Sequence, residues 1–315
     1  MVSFLIRRIA TAIVLAWVVL TLIFFAIHTV PGDPAYQLAG GDSGFTEEGL
    51  QQIRESLGLD RPLGEQYANY LLGVLGGDLG ESFATGQPVA QSILRRLPAT
   101  LQLIAAAAVL AIAAGIPFGA WAGRRRGMAD ALMTSVTSVA LAVPVYVVGA
   151  LAVLLFSVTW RLLPAGGLTP FAEDPMGFLR GLLLPAVTLS LAFSAVVARM
   201  TRTAVIETSD RDWVRTATSF GLTRRRVFNR YVLRNSMNPV VTVVGLEIGS
   251  FLGASVIIER VFNYPGISTL LIDGVSARDY PVVQGVVIVI AVLFILINLV
   301  VDILYGILDP RARIR

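Results

Sequence analysis

The chain has 315 residues, of which 55% are hydrophobic and 15% charged, with a formal net charge of +4 and a mean hydropathy of +0.74. Several apolar runs are close to span length, which is typical of a polytopic membrane protein and not of a soluble domain. All 25 basic residues are arginine, which excludes a P-loop because that motif needs a lysine on the phosphates. The absence of cysteine excludes disulfides, thiolate metal sites and a cysteine nucleophile, and the single histidine, His28, excludes a multi-histidine metal cluster.

The first apolar run extends from Ile9 to about Val30, after a short basic segment. It is longer than the apolar region of a signal peptide, and no small-residue cleavage pattern follows it. We therefore predict an uncleaved first span, with Arg7 and Arg8 on the cytoplasmic side of the membrane.

A polar segment follows, residues 31–97, and its opening PGDP (31–34) predicts a rigid turn. Amphipathic spacing predicts two short helices, over Thr46–Leu57 and over Gln66–Val74. The segment is too long and too patterned for a linker, which favours a small folded cap outside the membrane. Such a cap either docks a delivery protein or only shields the outer mouth.

Three further spans are predicted at about Ala99–Ala122, Ala131–Phe156 and Gly181–Met200. Pro117, with Gly115 and Gly119 beside it, is predicted to kink the first of these. Pro144 lies near the middle of the next one. A prolyl kink at Pro144 either lines a translocation pathway or only adjusts helix packing.

The longest polar run, Thr208–Asn235, lies in the loop after the fourth span. Ser209 and Asp212 resemble a capping box, with Asp in place of the preferred Glu. Three apolar residues then recur at i, i+4 and i+7, on one face of a short helix: Trp213, Ala217 and Phe220. This pattern predicts a short helix with an apolar ridge.

A second helix is predicted directly after this one. Gly221 stands where a helix needs a left-handed residue to end, and Thr223 can cap the next helix. That helix carries Arg224, Arg225, Arg226, Arg230 and Arg234. The result is a helix–Gly–helix elbow that docks its ridge in a partner's groove, or else an ordinary loop whose arginines only fix topology.

The last two spans are predicted from Asn238 to about Ile258 and from about Val283 to Tyr305. Glu247 is the one acid placed well inside a span, where a carboxylate costs about 2.5 kcal/mol or more. It either lines a polar pathway or forms a structural hydrogen bond. The outer segment between these spans has an apolar middle that predicts a short helix lying at the surface.

The charges fix an orientation for this arrangement. The segments predicted to be inside hold 17 of the 25 arginines, and those predicted to be outside hold 14 of the 21 acids. The prediction is an all-α protein with six transmembrane helices and both termini cytoplasmic. It divides into a tail and first span (1–30), an extracytoplasmic cap (31–97) and a transmembrane core (98–315) whose inner loop covers 203–237.

The chain resembles the permease subunits of the peptide/nickel class of bacterial ABC importers. The resemblance covers nearly its full length and rests on blocks in family order: PGDP (31–34), LGLDRPLGEQY (57–67), GDLGESF (77–83), RRLPATLQL (95–103), RTATSFGL (215–222), RNSMNPVVT (234–242), ERVFNYPGI (259–267) and ARDYPVVQG (277–285). It implies the type I importer permease fold and a place in the bacterial inner membrane. The implied partners are a second homologous permease, two cytoplasmic ATP-binding subunits, an outer solute-binding protein and the lipid bilayer, with no nucleic acid.

In such permeases the elbow carries the so-called EAA pattern and sits in a cleft of the ATPase. The resemblance therefore implies ATPase contact for Asp212, Trp213, Arg215, Thr216, Ala217, Phe220, Gly221 and Leu222. The chain departs from the pattern at Arg215, where Glu is usual, at Thr216, where Ala is usual, and at Arg234, where Pro is usual. Candidate pathway residues are Glu247 and Pro144, and candidate contacts for the binding protein are Asp78, Tyr67 and Asp279.

The resemblance implies import of peptides, or alternatively of nickel chelates, glutathione or another small solute. It implies no cofactor and no metal in this chain, because the partner ATPases bind ATP and magnesium. An intramembrane enzyme would need paired carboxylates, a Ser/His set or metal ligands at membrane depth. An ion-coupled carrier would need acids or broken helices in repeated halves. Neither pattern is evident in the sequence.

Overall fold

The computed structural model describes residues 2–29, 47–56, 60–125 and 127–308. Within these ranges the chain is helical, and its only strand-like pairing is a bridge between Glu81 and Pro88. The PGDP turn, Thr46, the segment 57–59 and the arginine-rich tail 309–315 lie outside the described residues.

The helices are α1 (Val2–Thr29), α2 (Glu47–Ser56), α3 (Leu63–Gly76), α4 (Val89–Arg125), α5 (Met128–Ala142), α6 (Val145–Ala152), α7 (Pro175–Ser209), α8 (Asp212–Ser219), α9 (Arg224–Val227), α10 (Leu233–Ile248), α11 (Ser250–Val261), α12 (Ile267–Ser276) and α13 (Tyr280–Leu308). Helix α6 continues as a π-helix over Val153–Thr159, and α9 continues as one over Phe228–Val232. The two short helices predicted in the polar segment are confirmed as α2 and α3.

Four described stretches are long and apolar enough to cross a membrane: Ile6–Ala26, Val89–Arg125, Pro175–Ser209 and Tyr280–Val301. Two more candidates are bent pairs, Met128–Ala142 with Val145–Thr159 at 95°, and Arg224–Ile248 with Ser250–Val261 at 52°. The described residues thus hold four candidate spans, or up to six if each bent pair is one span.

The two prolines expected to kink a span behave differently. Pro144 lies at the 95° bend, and Val143 before it is extended, with φ −85° and ψ 124°. This follows because proline has no N–H to donate and disfavours helical backbone in the residue before it. The kink predicted at Pro117 does not interrupt α4, which is helical from Val89 to Arg125.

The glycines beside Pro117 serve close helix packing. A Cβ added to Gly115 would lie 2.8 Å from the carbonyl oxygen of Ser194 in α7, and one added to Gly119 would collide with the carbonyl of Ala198. A Cβ added to Gly123, one more turn along, would lie 3.0 Å from the carbonyl oxygen of Arg202. Small residues at four-residue spacing let two helix backbones approach closely, and here they place α4 against α7.

The chain divides into two compact units. The large unit contains residues 1–5, 100–265 and 297–315, and the small unit contains residues 6–99 and 266–296. The chain passes from the small unit to the large unit between residues 99 and 100, and the cap expected over 31–97 stays a prediction. The small unit also takes in most of α1, all of α12 and the first part of α13.

Within the large unit, polar contacts join α5 to α7. The Arg202 guanidinium donates to both carboxylate oxygens of Asp130, with 2.6 Å between Nη2 and Oδ2. Arg199 Nε donates to the buried Thr137 hydroxyl at 3.0 Å. These bonds hold α5, the first helix of a bent pair, on the long helix α7.

The small unit has its own apolar core, made of Val89, Ile93, Ile267, Val282 and Val286. Helix α12 belongs to this core, because its first residues are buried. The short helix predicted in the outer segment is therefore confirmed. Its first turn packs into the unit, whereas Asp273, Val275 and Ser276 near its end are exposed.

Candidate coupling elbow

The elbow consists of α8, the turn at Gly221 and α9. Helix α7 extends to Ser209, whose hydroxyl donates to the carbonyl of Val205 and caps no following helix. Helix α8 begins at Asp212 after an extended Arg211, with no side-chain cap bond. The predicted capping box is therefore wrong, because its Ser remains inside the preceding helix. The acid Asp212 still lies in the first turn of α8, where it complements the helix dipole.

A glycine-based C-cap ends α8 as the sequence predicts. Gly221 has φ +83°, its N–H donates to the carbonyl of Thr218 at 3.0 Å, and the N–H of Leu222 donates to the carbonyl of Ala217 at 3.4 Å. These two bonds form a Schellman motif, which closes a helix through a left-handed residue. The direction of the chain after α8 is thereby set by backbone bonds.

An apolar seat fixes the elbow to the large unit. The seat is the buried cluster Ala120, Val205, Val227 and Val232, contributed by α4, α7, α9 and the π-helix after it. Val214, Ala217 and Leu222 pack against it from the elbow. Nearby, the buried Ser236 hydroxyl donates to the carbonyl of Ala204 at 3.1 Å and joins α10 to α7. The elbow is thus connected to three long helices.

The outward face carries two large apolar side chains. Trp213 is 40% exposed and Phe220 is 82% exposed. The predicted ridge is correct for these two residues and wrong for Ala217, which packs inward beside Val214. Trp213 and Phe220 therefore form an exposed apolar pair on a helix that is itself firmly seated.

The candidate ATPase contacts fall into separate groups. Asp212, Trp213, Arg215, Thr216 and Phe220 are exposed and accessible to a partner. Ala217 and Leu222 belong to the seat, and Gly221 shapes the turn. Contact of the exposed group with a partner stays a prediction.

The second arm of the elbow is short and basic. Thr223 occupies the N-cap position of α9, but its side chain makes no cap hydrogen bond. The predicted arginines are exposed: Arg224, Arg225, Arg226, Arg230 and Arg234. The Arg124 guanidinium of α4 lies 4.9 Å from the ring centroid of Phe228, a cation–π contact that ties α4 to this arm.

Both candidate pathway residues lie at helix breaks. Pro144 is exposed at the 95° bend. Glu247 is the next-to-last residue of α10, three residues before α11 begins, at the 52° bend. The Ser250 hydroxyl donates to the backbone carbonyl of Glu247 at 2.7 Å and lies 3.3 Å from its Oε2. Their role in a pathway stays a prediction.

The sequence did not single out the fully buried acid of the large unit. Glu259 accepts a hydrogen bond from the buried Thr100 hydroxyl at 2.7 Å. The sequence places Glu259 directly after the predicted span that ends near Ile258, in the outer segment. Only the neighbouring helix α4 reveals that this carboxylate is enclosed.

The candidates for docking a binding protein lie in the small unit and differ in exposure. Asp78 is exposed, and its carboxylate accepts the backbone N–H of Gly80 at 2.9 Å. The Tyr67 hydroxyl is hydrogen-bonded to the Thr21 hydroxyl at 2.6 Å, so this half-buried ring packs against α1.

Asp279 is 3% exposed, which contradicts its assignment as a docking contact. Its carboxylate accepts the Ser82 hydroxyl at 2.6 Å and the backbone N–H groups of Phe83 and Ala84 at 3.1 and 3.2 Å. The backbone carbonyl of Asp279 also accepts from Val283 at the start of α13. Asp279 therefore fastens the 82–84 loop to α13.

Two family profiles cover most of the chain between them. The profile for the "binding-protein-dependent transport system inner membrane component" matches residues 115–314, which include the elbow and both bent helix pairs. The profile for the N-terminal part of such membrane components matches residues 1–104. The chain belongs to this family. The resemblance drawn from the sequence blocks is thus confirmed, and the elbow is that of a transport permease in the inner membrane.

Individual members of the permease family match over almost their entire length. A putative peptide transport system permease protein of Brucella abortus (strain 2308) is 40% identical over 314 residues, covering 99% of each chain. The dipeptide transport system permease protein of Escherichia coli (strain K12) is 38% identical over 338 residues, with the same coverage. A probable peptide ABC transporter permease protein of Sinorhizobium fredii is 36% identical over 311 residues, covering 98% of this chain and 99% of its own.

Proposed function

We propose that this permease imports peptides across the bacterial inner membrane, driven by separate ATPase subunits that hold its elbow. The main support for the ATPase contact is the exposed pair Trp213 and Phe220. The two residues lie on α8 and at its C-cap, and α8 packs firmly on the large unit. Two exposed apolar side chains on a well-packed helix can insert into a hydrophobic groove of a partner protein. The peptide substrate is inferred from relatives named as peptide and dipeptide permeases.

In this proposal the chain has six spans, with both termini in the cytoplasm and segment 31–97 outside. Each bent pair counts as one span, and the arginine bias supports the orientation. A second homologous permease completes the pathway, two ATP-binding subunits occupy the cytoplasmic side, and an outer binding protein delivers the solute. ATP and magnesium are bound by the partners, since this chain contains no lysine for a P-loop.

The elbow transmits motion because it is stiff and anchored. ATPase closure would displace Trp213 and Phe220, and the seat would pass that displacement to α4, α7 and α10. The breaks at Pro144 and before α11 are natural places for the spans to bend. Rigid-body rocking around such breaks gives alternating access, with Pro144 and Glu247 along the pathway. Asp78, which is exposed, is the docking candidate most accessible to a binding protein.

The test is to reconstitute the chain with its partner permease, the ATPase subunits and the binding protein, and to measure uptake of a labelled dipeptide. We expect the ATPases to co-purify and uptake to need ATP. ATPases substituted at their own P-loop lysine should support no uptake. Competition by unlabelled peptide, nickel chelate and glutathione identifies the solute. Uptake without ATPases, or an elbow that no ATPase contacts, would refute the proposal.

A further inference from the structure

The small unit contains a polar pocket that the mechanism above does not use. Its volume is about 490 Å³, and it lies between α4, α12 and the loop at 82–87. Arg95 and Arg96 line it from α4, and Asp273 lines it from α12. The pocket therefore presents charges of both signs on two different helices.

The two arginines differ in the number of hydrogen bonds and ion pairs that they form within the protein. Arg96 Nη1 donates to the Thr269 hydroxyl at 3.2 Å and lies 4.0 Å from Asp273 Oδ2. The side chains of Arg96 and Asp273 are 37% and 56% exposed, so both face solvent as well as each other. Arg95 is exposed and has neither a hydrogen bond nor an ion pair to any residue that the structure describes. Arg95 is thus available to a ligand.

The other acid of the pocket, Asp279, is buried and makes no ion pair with either arginine. The Asp279 carboxylate is occupied by the Ser82 hydroxyl and by the backbone N–H groups of Phe83 and Ala84. Those bonds hold the loop wall of the pocket in place. The accessible charges are therefore two guanidinium groups and one carboxylate, which favour a ligand with a carboxylate and, beside it, a cation.

We infer that this pocket holds the free ends of a short peptide, with the C-terminal carboxylate on Arg95 and Arg96 and the ammonium group toward Asp273. A guanidinium pairs with a carboxylate through two parallel hydrogen bonds, and the pocket volume is ordinary for a small-molecule site. The inference rests on the proposed function, which supplies the peptide class and places this end of α4 outside. The pocket would then bind a peptide that the binding protein has released.

The absence of cysteine makes the pocket easy to probe. Ala84 is exposed on the pocket wall, and Ala68 is exposed on α3 outside the pocket. Single Ala84→Cys and Ala68→Cys variants of the whole complex in nanodiscs, without ATP, would be alkylated with a neutral maleimide. Alanyl-alanine should slow the labelling of Ala84→Cys and leave Ala68→Cys unchanged.

The ligand chemistry is tested by changing one partner at a time. Losing a charge-assisted hydrogen bond of about 1.5–3 kcal/mol corresponds to at least about tenfold weaker binding. Arg95→Gln should therefore raise the dipeptide concentration needed for protection at least about tenfold. The matched Arg61→Gln, another exposed arginine of the small unit, should not. The C-terminal amide of the dipeptide should protect poorly, and Asp273→Asn should weaken protection by the free dipeptide but not by an N-acetyl dipeptide.

Several outcomes would overturn the inference. Equal protection by inorganic phosphate or acetate would make the pocket a general anion site. Protection that persists in Arg95→Gln, or none with any peptide, would remove the assignment. Uptake measured in parallel separates the two proposals. Normal dipeptide uptake without protection of Ala84→Cys would refute only the peptide site in the pocket. Protection without any ATP-driven uptake would refute the proposed importer function.

Discussion

The backbone N–H of Leu222 donates to the carbonyl of Ala217 at 3.4 Å, and both side chains pack on the same buried seat. One pair of residues thus closes α8 and also fixes it to the large unit. A hydrophobic contact between these two positions commonly accompanies a Schellman motif. In the proposed mechanism the elbow acts as a lever, and we expect this C-cap to keep it stiff.

The left-handed turn at Gly221 gives the first prediction. An added Cβ would contact nothing within 4 Å, so a substitution there acts through backbone strain and not through a clash. Gly221→Val should impose roughly 1–2 kcal/mol of strain and uncouple ATP hydrolysis from uptake in a normally inserted protein. Gly221→Asn, which tolerates this conformation, should retain most of the coupling. Equal loss in both variants would show that the turn's conformation is not what matters.

Removal of the exposed apolar pair should weaken partner binding without unfolding the permease. Trp213→Ala with Phe220→Ala should reduce ATPase co-purification at least about 30-fold if the pair is an interface hot spot worth about 2 kcal/mol or more. The thermal midpoint should fall only slightly, because Phe220 is 82% exposed and Trp213 is 40% exposed. Trp160→Ala with Phe171→Ala, also exposed aromatics of the large unit, serve as the control. A similar loss in the control pair would point to general damage.

Ala217→Asp tests the seat separately from the contact. It places a carboxylate against Ala120, Val205, Val227 and Val232, where an unpaired charge is poorly tolerated. We expect the elbow to detach and become sensitive to limited proteolysis, with coupling lost as a consequence. Thr218→Asp adds the same charge on the exposed side of α8 and should leave proteolysis unchanged. Resistance of Ala217→Asp to protease would contradict the packing described here.

Close packing of α4 on α7 predicts that a glycine-to-alanine substitution destabilises the protein at Gly119. The same substitution at Gly253, where there is space, serves as the control. Gly119→Ala drives a methyl group into the Ala198 carbonyl and should lower the thermal midpoint in detergent. Gly253→Ala, within α11, meets nothing within 4 Å and should be neutral or stabilise by about 0.4–1 kcal/mol. Differential scanning fluorimetry of the two variants decides the question. A neutral Gly119→Ala would show that the helices can separate at no cost.

The buried carboxylate of Asp279 should be structural. Asp279→Ala leaves the Ser82 hydroxyl and two backbone N–H groups without their acceptor, which costs about 1–3 kcal/mol. We expect faster proteolysis of the 82–87 loop. Asp78→Ala, at an exposed carboxylate with a local bond to Gly80, should leave this loop intact. If only Asp78→Ala exposed the loop, the fastening role of Asp279 would be wrong.

The sequence alone determined the membrane class, the order of the candidate spans and the turn at Gly221. Each of these depends on a property that the local chain carries: apolar length, arginine bias and the conformational freedom of glycine. The break at Pro144 belongs with them, because a missing N–H acts on its own helix. The resemblance to the permease family also came from blocks that can be read directly along the chain.

Tertiary structure decided which side chains are accessible. Asp279 looked like a surface acid until Ser82, 197 positions away, was found on its carboxylate. Ala217 and Trp213 follow the same helical pattern, yet only the seat formed by α4, α7 and α9 shows which of them faces inward. The sequence predicts a kink at Pro117 and the glycines beside it. Only the position of α7 shows that these glycines form a packing surface. Periodicity places residues on a helix face, but the neighbour that covers the face comes from distant parts of the chain.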